Sequence, residues 1–332
     1  MPFQRFPIVI VLAGTAFAQS VAPVIGSSGY SAPVPLTVAP GQLVTLFVPG
    51  FGSVMSGPMK APAAPLPNTL AGVSAVFRQG SDQPLPIFEV QPIKACTALN
   101  PPANSCGSIL AVTVQIPFNI ETVCPLCLRP ISLIPSQIAI SVNGVQGQFS
   151  DLTAVADQVH FLTACDATMP VLQSPLTGLP CAPMVTHVDG KLVSAANPAA
   201  GGELLIAYAT GLGQTNPPQT TGQTATTAAS TLTTFAIDFN YRPNALATKP
   251  AGPSLIGGSP PYATPLYAGA TPGFAGLYQI NFRVPPSPAG LQPCAALGSA
   301  TPYANVVQSN LTVSAGSVFS FDGAGICVQP EN

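Results

Sequence analysis

The chain has 332 residues and a formal net charge of −2, and only 6% of its residues are charged, against roughly 25% in an average soluble domain. So few Lys and Arg leave no basic patch to neutralise phosphates, which excludes nucleic acid and a polybasic membrane footprint as expected partners. Proline (40) and glycine (30) are abundant beside a 47% hydrophobic fraction; together they stay below the roughly 25–30% that marks low-complexity chains, so a folded protein is expected, its prolines punctuating short strands.

The first residues read MPFQRFPIVIVLAGTAFAQS. Arg5 precedes an apolar run from Pro7 to Ala13, and Ala16-Phe17-Ala18 is a small-x-small cleavage site, so residues 1–18 are expected to be a secretory signal peptide. The run is shorter than the about 20 residues that a membrane helix needs, and no later segment is long and apolar enough. The mature chain is expected to begin near Gln19 and to be secreted, either released or held non-covalently at the cell surface.

From there the chain reads as one unit used twice. GQLVTLFVPGFG (41–52) matches GELLIAYATGLG (202–213): a Gly, an apolar run of strand length, then a G-x-G turn, at an offset of about 161. Val114-Gln115-Ile116-Pro117 matches Phe282-Arg283-Val284-Pro285, and SQIAISVNG from Ser136 matches SNLTVSAG from Ser309. The offset drifts along the chain, as it does when insertions collect in loops.

Period-two alternation runs through both halves. Ile138, Ile140 and Val142 alternate with Gln137, Ala139 and Ser141. Phe235, Ile237, Phe239 and Tyr241 alternate with Ala236, Asp238 and Asn240, and Tyr278, Ile280, Phe282 and Val284 with Gln279, Asn281 and Arg283. Such alternation predicts antiparallel strands with one face buried and one wet, and Asn143-Gly144 suits a tight hairpin. The predicted fold is all-β: two tandem Ig-like antiparallel β-sandwich domains related by internal duplication. Residues 19–156 form the first, 201–332 the second, and 157–200 an irregular linker with a disulfide loop. The Thr-rich, nearly uncharged stretch 214–231 reads as a solvated loop or, more sharply, as a glycosylated or ligand-contacting one.

The eight cysteines of an exported chain predict disulfides. Their connectivity is open among on the order of a hundred pairings, but placement favours local ones. Cys96 and Cys106 precede a strand that Cys124 and Cys127 follow; nine extended residues span about 30 Å, whereas bridged Cα atoms lie within about 7 Å. Cys96–Cys106, Cys124–Cys127, Cys165–Cys181 and Cys294–Cys327 are therefore the expected pairs. Cys124-Pro-Leu-Cys127 could also be a redox or zinc motif. Pro125 and the Leu-Arg-Pro that follows make a poor helix start for a redox motif, and no second CxxC or His pair completes a zinc site.

Four stretches carry a family resemblance: VAPGQLVTLFVPGFG (38–52), PLPNTLAGVSAVF (65–77), VTHVDGKLVSAANPAAGGELLIAYATGLG (185–213) and AGATPGFAGLYQINFRVPPSPAG (268–290). They resemble an uncharacterised domain family of exported acidobacterial proteins, notably Solibacter, where it often closes longer chains. The resemblance covers roughly residues 36–315, and the shorter strand motifs are similar to Ig-like domains of the IPT/TIG type. It implies tandem β-sandwich modules on the cell exterior and brings no activity or catalytic residue. The cysteine-bearing loops at 96–106, 124–127 and 165–181 depart from the pattern.

No sequence motif for catalysis is present. There is no G-x-S-x-G nucleophile elbow, the two histidines are His160 and His187, the acids are scattered singly, and no D-x-D-x-D-G run offers a calcium loop. No cofactor or metal is therefore expected. Without any Trp, aromatic ligand contacts fall to Tyr262, Tyr267 and Tyr303 in Pro/Gly-rich loops. The function read from the sequence is a secreted, non-catalytic structural or interaction protein, with an unknown cell-surface, protein or polysaccharide partner. The alternative is a secreted hydrolase with a site between the halves, which would bring a histidine, an acid and a nucleophile into one cleft.

Overall fold

A computed structural model describes residues 22–28, 36–95, 107–123, 135–163, 166, 182–251, 263–294 and 309–331. The protein is all-β, and the described residues contain no α-helix, only one 3₁₀ turn at Gly52–Val54. The principal strands before residue 156 are β1 (Leu36–Val38), β2 (Leu43–Pro49), β3 (Val73–Gln79), β4 (Ile87–Ala95), β5 (Gly107–Gln115), β6 (Ser136–Val142) and β7 (Ser150–Ala154). Those after it are β8 (His160–Phe161), β9 (Val185–His187), β10 (Leu204–Thr210), β11 (Ala236–Asn240), β12 (Tyr267–Ala270), β13 (Tyr278–Arg283), β14 (Leu311–Gly316) and β15 (Phe321–Ile326).

Four sheets result, two from each half of the chain. In the first half β2-β5-β4 forms the centre of one sheet and β1-β7-β6-β3 runs through the other. In the second half β8-β10-β13-β12 continues through two short strands, Ala229–Thr231 and Thr215–Asn216, and β11-β14-β15 makes the facing sheet. Among the described strands, pairing is antiparallel except between β1 and β7. The repeat seen in the sequence recurs as a repeat of register. Leu43 sits opposite Gln115 where β2 meets β5, and Leu204 opposite Arg283 where β10 meets β13. The drifting sequence offset thus conserves the strand pairing.

The alternating residues do what their period requires. Tyr278, Ile280, Phe282 and Val284 are all buried, while Gln279 and Asn281 are half-exposed and Arg283 is exposed. Ala139 and Ala236, expected on wet faces, are buried too; an alanine is short enough for its same-face neighbours to cover it. Asn143 and Gly144 both adopt positive φ, 50° and 81°, in the turn that joins β6 to its hairpin partner; that is the conformation a tight two-residue hairpin demands.

Two apolar cores follow from the four sheets. One draws on residues from Ile25 to Ala154, the other on residues from Val159 to Val328. Described residues of the stretch 157–200 contribute to the second core. Phe161 and Val185 enter the second core from β8 and β9, joined by Val159, Val193 and Ala199, but strands of two or three residues are too short to show a period.

Candidate functional site

The enzymatic alternative turns on the two histidines. His160 lies on β8 with Nδ1 at 3.1 Å from Asp322 Oδ2 and Nε2 at 3.0 Å from Asp166 Oδ1. The same Asp322 oxygen accepts the Phe161 N–H at 2.9 Å, and Asp166 accepts both the N–H and the hydroxyl of Thr163. Burial opposes the imidazolium, but hydrogen bonds to two carboxylates outweigh it and raise the His160 pKa from 6.5 to about 9. His187, at the end of β9, places Nδ1 2.5 Å from Glu203 Oε1 and Nε2 3.2 Å from the Asn197 carbonyl. Its pKa is raised as well, again with burial opposing and the Glu203 carboxylate prevailing.

A general base needs an imidazole nitrogen with a free lone pair facing a nucleophile. Here each ring faces oxygen acceptors on both nitrogens, so neither turns a free lone pair toward a nucleophile. His160 ties β8 to β15, and His187 ties β9 to the start of β10. Among the described residues no three His, Cys, Asp or Glu side chains gather as metal ligands.

Of the three tyrosines singled out, Tyr262 and Tyr303 lie outside the described residues. Tyr267, on β12, turns its hydroxyl onto the neighbouring backbone. It accepts the Ala229 N–H at 3.0 Å and lies 3.2 Å and 2.9 Å from the carbonyls of Ala229 and Ala270. Only its half-exposed ring is left for a ligand. Cys294 and Cys327 form a disulfide, as expected, with Cα atoms 5.6 Å apart. Cys96, Cys106, Cys124, Cys127, Cys165 and Cys181 lie outside the described residues.

The contact between the halves is where the structure departs most from the sequence reading. The Thr-rich stretch 214–231 is mostly exposed, as a solvated loop would be, but Gln214, Thr221 and Gly222 strap it to the first half. The buried Gly222 donates its N–H to Gln115 Oε1 at 2.6 Å, and its carbonyl accepts the Leu66 N–H at 2.8 Å. Thr221 Oγ1 accepts the Phe118 N–H at 3.0 Å, and Gln214 Nε2 donates to the Phe118 carbonyl at 3.2 Å. Thr210 Oγ1 accepts the Leu43 N–H at 2.9 Å, linking β10 to β2. An uncharged strap suits this role, because amides and hydroxyls can pair across a buried contact without desolvating an ion.

Phe118 is the apolar anchor. It leaves the first half just after β5 and packs against the second core. Gly41, at φ +72°, makes room for it, since a Cβ there would overlap the Phe118 ring. Gly276 permits the reciprocal approach: at φ +66°, its Cβ would stand 2.8 Å from Leu43 Cγ and 3.0 Å from the Gly41 carbonyl. Between Phe118, Gln219, Gln223, Phe274 and Tyr278 remains a recess of about 10 Å³. That holds about one water and no substrate. Phe118→Ala is expected to cost about 2 kcal/mol, less than for a fully buried ring because Phe118 is half-buried. It is also expected to uncouple the halves, so that calorimetry resolves two transitions where the native chain shows one; a single unshifted transition would show the anchor to be dispensable.

The sequence held one signal for this contact. Phe274, Gly276 and Tyr278 all belong to PGFAGLYQINFRVP, one of the stretches that carried the family resemblance. The chain matches no family model, and a search of curated proteins returns no match.

Proposed function

We propose that this chain is an exported, non-catalytic interaction protein: two Ig-like sandwiches in tandem, related by duplication and docked on one another, acting in adhesion or surface contact outside the cell. The family reading, with the exported acidobacterial modules, belongs to this proposal, as do the signal peptide at 1–18 and the extracellular location. The observation that carries it is the state of the two histidines. Both nitrogens of His160 face carboxylates, and those of His187 face a carboxylate and a carbonyl, so the side chains best suited to general-base chemistry serve as structural clasps. A large uncharged surface supports the same reading, because it meets a polysaccharide or protein surface at little desolvation cost. The half-exposed Tyr267 ring and the exposed Val188 and Leu192 of one hairpin are candidate contacts on that surface.

The test is retention of the oxidised chain, residues 19–332, on producing cells and on a panel of insoluble polysaccharides. Saturable retention on one surface, weakened by Val188→Ser with Leu192→Ser, is the expected result. Turnover of any of these polysaccharides by the purified chain would overturn the non-catalytic reading, and failure to bind every surface would overturn the adhesive one.

A further inference from the structure

In each half an early segment and a late one are neighbours that run in the same direction; in the first half Ser27–Ser28, ahead of that segment, pairs antiparallel with β2. In the first half β1 and β7 pair in parallel, Leu36 opposite Leu152 and Val38 opposite Ala154. The ladder continues past its end, where the Val155 N–H donates to the Val38 carbonyl at 2.9 Å. Leu36 and Val38 are buried in the core, so β1 cannot lift away without exposing them.

The second half reaches the same geometry by different bonds. Its incoming segment, 157–161, meets residues 317–322 with partners that advance in step. Ser317 Oγ donates to the Asp157 carboxylate, 2.8 and 2.7 Å from its two oxygens, and Ser320 Oγ donates to it at 2.5 Å. The Val159 N–H donates to Ser320 Oγ at 2.8 Å, and Asp322 holds both the Phe161 N–H and the His160 ring. Asp157 is fully buried, an unusual place for an acid unless its hydrogen bonds have a task.

The outgoing end is held once more. Ala199 bridges Val328 in parallel, its N–H donating to the Cys327 carbonyl at 2.9 Å and its own carbonyl accepting the Gln329 N–H at 2.8 Å. From the other side the buried Asn310 carboxamide closes on Val328, accepting its N–H at 2.8 Å and donating to its carbonyl at 2.7 Å.

Tension along the chain pulls an incoming strand and a parallel outgoing neighbour in opposite directions along their common axis. The bonds between them lie across that axis, so they are loaded together instead of opening one at a time. We propose that the protein carries tension, each half resisting extension through its parallel incoming and outgoing segments. This extends the structural part of the proposed function and depends on no ligand.

Single-molecule extension of the disulfide-intact chain tests it. Handles beyond residues 22 and 331 pull both halves in shear. Handles at residue 22 and at Gln148, exposed just before β7, first strip Ser27–Ser28 from β2 and then pull β1 and β7 from their shared end, unzipping the same bonds. The first half is expected to unfold at a distinctly higher force in shear than in peeling; equal forces overturn the proposal. For the second half, Ser320→Ala is expected to raise the unfolding rate under shear about 30-fold through the loss of two partly buried hydrogen bonds. The step released by the first half should be unchanged, and a second-half rate equal to that of the native chain overturns the proposal for that half. Direction-independent forces together with retention on a surface would remove the tension role and leave the binding role standing.

Discussion

Replacing Cys294 and Cys327 together by alanine is expected to lower the stability of the second half by about 3–4 kcal/mol. The bridge spans a sequence separation of 33 residues, from Cys294 in the segment after β13 to Cys327 just after β15. A cross-link over a loop of that length removes from the unfolded chain an entropy worth a few kcal/mol at room temperature, if the native state holds the bond without distortion. Here the folded side is already in place without it. Cys327 is 3% exposed, its carbonyl accepts the Ala199 N–H, and the next residue is held by Asn310. The double variant should therefore keep the native arrangement and lose stability mainly through its freer unfolded state. Urea denaturation under oxidising conditions reads this directly: the midpoint for the second half falls while any separate transition of the first half stays where it was. Alanine at both positions is preferable to chemical reduction, which would act on every cysteine of the chain. Coincident midpoints for variant and native chain would mean that the unfolded ensemble is already compact between residues 294 and 327.

Much of the fold was legible in the sequence because period two is a local signal. The run from Tyr278 to Val284 announced which side chains would be buried, and Asn143-Gly144 announced its turn. The repeat was legible for a related reason. A strand that must meet a fixed partner keeps its pattern while the loops around it change length, and Leu43–Gln115 and Leu204–Arg283 are the same pair in two settings. What escaped was everything decided by residues far apart in the chain. His160 is defined by Asp322, 162 residues away, and Asp157 by Ser317, 160 residues away; no spacing rule connects them. The strap at 214–231 is largely solvated, as its composition suggested, but Thr221 and Gly222 meet the first half. They become interface residues only because Leu66, Gln115 and Phe118 present matching donors, acceptors and an apolar ring.

Raising the pH from about 6.5 to about 9 is expected to remove up to about 3 kcal/mol of stability through His160 alone. The ring binds its proton more tightly folded, with a pKa of about 9, than in the unfolded chain near 6.5. A pKa raised on folding means that the stabilisation is complete below the unfolded value and is lost as the pH climbs through the folded one. The figure is an upper bound, because the side chains of His160 and Asp166 are about a fifth exposed and that of Asp322 about a third, and solvent screens the pair. His187 shifts in the same direction and adds to the fall. Asp157, its pKa raised by burial, acts in a lower window: its ionisation weakens the folded state as the pH passes its own folded value. The measurement is the urea midpoint of the native chain and of His160→Gln at about pH 6.5 and about pH 9.5. The native midpoint should drop across the interval by clearly more than that of the variant. Parallel curves would mean that the folded ring is neutral. Because Asp322 holds His160 and the Phe161 N–H together, the same rise in pH should also loosen the incoming segment of the second half. Its resistance to extension should then weaken at alkaline pH, while that of the first half, built on backbone bonds between β1 and β7, should not.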